Sequence, residues 1–162
     1  MNLSIRKLLF ISSIIIFSSC SKDEDNGPAY EFLDQDLQGT IDGEAFVFGD
    51  GIVSSSDGEL SFDLLSDMET ESACEQFGFG DFVSVFFTIP EAEGIVELSL
   101  NLQSFEGQTV TMFNPETSLN VIATEGAVEI TSITETSVSG KMDVKYDGEN
   151  FVNGNFTAVF CD

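Results

Sequence analysis

The chain has 162 residues, of which 29 are Asp or Glu and five are Lys or Arg, giving a formal net charge of −24 with no histidine and no tryptophan. So acidic a surface repels phosphate backbones and anionic headgroups, which argues against nucleic acid and against peripheral membrane binding and leaves cations as the natural small partners. The missing imidazole removes the usual Ser/His/Asp and Cys/His nucleophile systems and the common histidine-ligated zinc sites.

Arg6 and Lys7 precede an apolar run of Leu8, Leu9, Phe10, Ile11, Ile14, Ile15, Ile16 and Phe17 that closes on Ser18, Ser19 and Cys20. The run is about half the ~20 residues needed to span a bilayer and ends in small residues at a cysteine, so 1–19 read as a cleaved signal peptide rather than a membrane-spanning helix. The stretch resembles the lipobox of bacterial lipoproteins. That resemblance implies that Cys20 is acylated, becomes the first residue of the mature protein and is its lipid anchor. Cleavage before Cys20 removes Arg6 and Lys7 and leaves 143 residues carrying Lys22, Lys141 and Lys145 against the 29 acids, a net charge of −26. That length suits one domain with a real core and has no room for a second.

Residues 20–37 read as a lipid-anchored acidic tether, since Ser21, Lys22, Asp23, Glu24, Asp25, Asn26, Gly27 and Pro28 are polar and broken by Gly-Pro. The run 20–24 also resembles the acidic export signal of surface-exposed lipoproteins of the Bacteroidota, which implies a protein facing the cell exterior.

Residues 38–162 read as a β domain, because from Gln38 onward the hydrophobic period is two. The spacing predicts a hairpin of 39–41 and 44–49 across Asp42-Gly43, then strands at 59–65, 82–89, 95–102 and 109–113. Asp57-Gly58, the segment 90–94, Glu106-Gly107 and Asn114-Pro115 separate them. Strands 119–124 and 127–134 are expected to pair across Glu125-Gly126. Val138, Gly140, Met142, Val144 and Tyr146 form one face of the next strand, and Ser139, Lys141, Asp143 and Lys145 the other. Asp147, Gly148, Glu149 and Asn150 then turn the chain into Val152, Gly154, Phe156, Ala158 and Phe160, making a C-terminal hairpin. Residues 66–81 lack alternation and have room for one helical turn, ended by Gly78 and Gly80. Fourteen of the sixteen phenylalanines follow Cys20, and Phe46, Phe48, Phe62, Phe86, Phe156 and Phe160 lie on strand faces, where they supply the bulk that tryptophan would otherwise give the core. About nine or ten short strands with turns this close indicate an all-β fold, an antiparallel β-sandwich or flattened β-barrel.

Few residues carry a chemical signal. Asp34, Asp36, Gln38, Gly39, Thr40 and Ile41 match the opening of a helix-flanked calcium loop, but the position for a bidentate glutamate is Ala45 and a strand follows, so the match is read as coincidence. Asp147, Glu149, Asn150 and Asn153 are weak candidates for a Ca2+ site, with a plain turn as the competing and preferred account. Carboxylate pairs could serve a hydrolase, yet 29 acids ensure close pairs without marking any one. With Cys20 assigned to lipid, Cys74 and Cys161 form an even pair in an exported chain, and a disulfide between them is expected.

As a whole the chain resembles small lipoproteins of the Bacteroidota: lipobox, acidic tether, a Thr40-Ile41-Asp42-Gly43-Glu44-Ala45-Phe46 opening hairpin and a closing strand from Val152 to Cys161. The resemblance implies no activity and carries over no functional residue but Cys20. The expectation is an outer-membrane lipoprotein acting as a non-enzymatic binding or structural module, without catalytic residues, resident cofactor or metal, its unknown partner a protein or small molecule. A lipocalin-like carrier of a small apolar ligand is the alternative, and a carboxylate-based hydrolase the third reading.

Overall fold

Two tight turns set the first three strands. Asp42 and Gly43 take φ of 49° and 83°, and Asp57 and Gly58 take 56° and 83°, the left-handed pair a two-residue hairpin needs if its twist is to match that of its strands. They join β1 (Gln38–Ile41) to β2 (Glu44–Ser56) and β2 to β3 (Glu59–Ser66) in a computed structural model that describes residues 30–66, 72–75, 81–101, 103–104 and 107–161. The expected signal peptide, Cys20 and the first part of the expected tether lie outside the described residues.

β2 is longer than its alternation suggested. The expected strand stops at Gly49, whereas the chain runs on to Ser56 through a bulge between Phe48 and Asp50. The bulge adds a residue and bends the strand, so the first part of β2 pairs with β1 and the remainder with β3. Gly51 lies close to its neighbour there: a Cβ would come 2.7 Å from the end of the Leu64 side chain, which would have to shift.

The remaining strands are β4 (Ser84–Pro90), β5 (Gly94–Glu97), β6 (Val110–Asn114), β7 (Leu119–Ala123), β8 (Glu125–Ile133), β9 (Ser137–Lys145) and β10 (Phe151–Phe160). They form one ten-stranded sheet in the order β5-β8-β9-β10-β1-β2-β3-β4-β6-β7. Pairing between the strands is antiparallel apart from a short parallel contact of β10 with β2 at Val159↔Ile52 and Phe160↔Val53, and Asp36 adds an isolated parallel bridge to Asn155. The sheet does not close, and it doubles over as a sandwich. Phe156 from β10 meets Phe62 and Phe87 of β3 and β4 edge-on at 5.7 and 6.0 Å, while Phe62 and Phe87 stack at 4.6 Å. The expected C-terminal hairpin forms, in the register Val144↔Val152 through Val138↔Ala158.

Several details differ from the alternation pattern. β7 and β8 are not a hairpin: β7 pairs with β6, and β8 with β5 and β9. Gly126 is no turn residue but part of β8, where a Cβ would sit 1.9 Å from the Asp143 carbonyl oxygen. The predicted strand 95–102 is reduced to β5, after which Leu98 N–H donates to Gly126 O and Ser99 N–H to Gln108 O as the chain leaves one half of the sheet for the other. In β4 it is Phe87, not Phe86, that enters the core, because Val85, Phe87 and Ile89 share the inner face. Tyr146 leaves the core face of β9 because that strand stops at Lys145, and Tyr146 N–H closes the following turn onto Asn150 O. Residues 30–37, the end of the expected tether, are docked. Leu37 is fully buried, and Asn153 Nδ2 donates to Glu31 O while its Oδ1 accepts Leu33 N–H.

Candidate functional site

Three turns meet at one end of the sandwich. Asp42 N–H donates to Asn150 Oδ1 at 2.8 Å, Thr117 Oγ1 donates to Asp42 Oδ2 at 2.6 Å, and the buried Asn114 reaches Ile41 O while accepting Glu116 N–H at 2.9 Å. The β1–β2, β6–β7 and β9–β10 turns are therefore fixed relative to one another by direct hydrogen bonds. This clamp places β7, the last strand of the open sheet, beside the exit of β9.

Between them lies a groove of about 700 Å³. Its walls are Leu119, Asn120, Val121 and Ile122 of β7, Thr124 on the link to β8, Leu100 on the chain leaving β5, and Tyr146 at the end of β9. The lining is predominantly apolar. Ile122 is 46% exposed and Tyr146 59%, whereas Val121 faces the core. A second hollow, about 500 Å³ and more polar, lies over β4 between Phe86, Thr88 and Gln108, whose Nε2 donates to Thr88 O at 2.7 Å. The interior is packed by a mostly aliphatic cluster that includes Phe62, Phe87 and Phe156, and no phenylalanine lines the larger groove.

The expected cysteine pair is brought together: the Cys74 and Cys161 sulfurs stand at disulfide distance, 2.06 Å, with Cα atoms 5.5 Å apart. Its local setting explains the placement. Ala73–Glu75 is the single helical turn expected in this stretch, its first residue buried, and Ala73 N–H donates to Asp50 Oδ2 at 2.8 Å while Asp50 Oδ1 accepts Gly51 N–H. The bulge of β2 thus holds the segment carrying Cys74 next to the strand end carrying Cys161.

The weak calcium candidates are engaged in local structure. Asp147 Oδ1 accepts both Glu149 N–H and Asn150 Nδ2, each at 2.9 Å, and these bonds hold its carboxyl below the usual carboxylate range. Asn150 Oδ1 and Asn153 Oδ1 accept backbone amides of Asp42 and Leu33. Asp34 accepts Asn155 Nδ2, and residues 38–41 of the calcium-loop match are strand β1. Among the described residues no three acidic or cysteine side chains gather as metal ligands. The half-buried Asp63 is pushed above the usual carboxylate range by desolvation alone, unlike a coupled acid/base pair, where neighbouring charge contributes.

Sequence reasoning missed the groove. Its signal is the run 117–124, Thr-Ser-Leu-Asn-Val-Ile-Ala-Thr, without charge, Pro or Gly in a chain that is 21% charged. Among the described residues no helix is long and apolar enough to cross a membrane. Comparison with family models, with curated proteins and with solved structures finds no match to this chain.

Proposed function

We propose that the protein is a lipid-anchored, non-enzymatic binding module of the outer membrane, held through Cys20, facing the cell exterior and using the groove beside β7 as its binding face. The observation that carries the binding reading is an apolar groove on the surface of a sandwich whose interior is packed by aliphatic side chains around Phe62, Phe87 and Phe156. An internal carrier would need its cavity where Phe62, Phe87 and Phe156 pack. The anchor is supported by the apolar run ending at Ser18, Ser19 and Cys20. Several acyl chains on one cysteine give stable attachment, since each buried CH₂ contributes ~0.8 kcal/mol and a single chain holds only marginally.

Two experiments test this. Cys20→Ser should move the protein out of the membrane fraction, and full retention in membranes after that change would defeat the anchor. Methyl NMR of the anchored protein in zwitterionic nanodiscs, titrated with the neutral probe 2-naphthol, should shift Leu119, Val121 and Ile122 and leave Leu60 and Leu64 of β3 unchanged. Equal shifts in both sets, or none, would defeat the groove.

A further inference from the structure

We infer that the free edge of β7 accepts an extended segment of a basic partner polypeptide as an eleventh strand, its alternate apolar side chains seated in the groove. The inference rests on the reading of that groove as a binding face.

β7 is terminal in the sheet order, and its strand partner among the described residues is β6. An edge strand presents unpaired N–H and C=O groups, and natural sheets guard such edges with Lys, Pro, bulges or very short strands. The other edge of this sheet carries charge within the strand: β5 has four residues ending in Glu97. Pro115 and Glu116 precede β7 much as Pro90 and Glu91 precede β5, but Leu119–Ala123 itself contains no charge, proline or bulge. It pairs with β6 without interruption from Leu119↔Asn114 to Ala123↔Val110, and Ile122, on the face opposite Val121, is apolar where a solvated edge would carry charge. Main-chain bonds to an edge strand supply affinity, and pockets beside it supply side-chain selectivity. Leu119 and Tyr146 flank such a pocket, both exposed.

Charge selects the partner. Glu125, next to the lining residue Thr124, is paired with Lys145 at 3.3 Å, while Glu116 in the β6–β7 turn and Asp147, next to the lining residue Tyr146, have no lysine partner among the described residues. A second copy would bring the same excess of acid to this edge and be repelled, with the chain at −24 overall, whereas a segment with Lys or Arg at its ends is attracted.

The test uses the anchored protein in zwitterionic nanodiscs, with empty discs as blank. The probes are a fluorescein-labelled twelve-residue peptide alternating valine and threonine with two lysines at each end, the same peptide with glutamates in place of lysines, and the lysine peptide with alternate backbone amides methylated. The lysine peptide should bind at least tenfold tighter than the other two at low salt, weaken as salt is raised, and slow amide exchange in β7 but not in β5. Ile122→Lys, at an exposed position, should weaken it at least tenfold, whereas Phe86→Lys over β4 should not. Equal binding of the lysine and glutamate peptides, or insensitivity to amide methylation, overturns the inference. 2-Naphthol shifts in the groove without peptide binding overturn strand addition while leaving the binding face intact, and absence of both removes both. A dimer that Ile122→Lys dissociates would assign the edge to a second copy instead.

Discussion

Opening the Cys74–Cys161 bridge gives the sharpest test of how the irregular stretch is held. The two cysteines are 87 positions apart, and the chain-entropy model assigns a closed loop of that size about 4.6 kcal/mol, an upper figure because native strain and residual denatured structure subtract from it. Against total stabilities of ~5–15 kcal/mol that is a large share. In the native state the segment 72–75 is also tied by Ala73 N–H on Asp50, a charge-assisted hydrogen bond worth roughly 1.5–3 kcal/mol that remains when the bridge is lost. The assay is urea unfolding of Cys74→Ser/Cys161→Ser beside the parent protein. With a slope of about 1–3 kcal/mol per molar urea, the midpoint should fall by about 1.5 M or more if the full entropy is realised. Asp50→Asn should cost more in the double serine variant than in the parent, because both ties act on one segment and their effects should not add. Thiol counting on the unreduced, denatured parent should find neither cysteine reactive. Two free thiols, or midpoints within about 0.3 M of each other, would refute the reasoning.

Phe156→Ala should destabilise by about 3–5 kcal/mol in the same assay, since it empties the point where β10 meets Phe62 and Phe87. Gly126→Ala should cost roughly 3 kcal/mol or prevent folding, because the Cβ meets the Asp143 carbonyl and φ at this position is 109°. Asp63→Asn should raise stability at neutral pH: the folded-state pKa lies above the unfolded one, so the native state binds the extra proton and stability falls as pH rises through that window, a fall that chemical denaturation between pH 3 and 7 should show to be smaller in the variant than in the parent. Asp147→Asn has the opposite sign, since its depressed pKa contributes stability that is present above the unfolded value and lost as pH falls through the folded one. Melting temperature should climb with sodium chloride as repulsion among the acids is screened, and low-millimolar calcium at fixed sodium should add nothing further, because the Asp147, Asn150 and Asn153 oxygens already accept hydrogen bonds.

Much of the local structure was legible in single residues and their spacing. Asp42-Gly43 announced a two-residue turn because few other pairs adopt left-handed backbone at both positions, Asp57-Gly58 marked a turn though not that β2 runs right up to it, and the alternation from Val138 to Val144 and from Val152 to Ala158 announced which side chains face the core. Alternation describes a strand's two faces and is silent about its edges. It could therefore not reveal that β7 turns away from β8 to pair with β6, that β10 lies against β1 and then β2, or that the sheet stays open. Those choices depend on long-range contacts: backbone approaches at Gly126 that leave no space for a Cβ, the bulge at Phe48 and Asp50, and the stacking of Phe62, Phe87 and Phe156 across the doubled sheet. The two cysteines could be paired by count, but their 5.5 Å approach follows from Asp50 fixing Ala73 beside the end of β10. The uncharged run 117–124 is the groove's trace in the sequence, but its shape belongs to the tertiary level, because Leu100, Ile122 and Tyr146 are far apart along the chain and share a surface only once the turns at Asp42, Thr117 and Asn150 are hydrogen-bonded together.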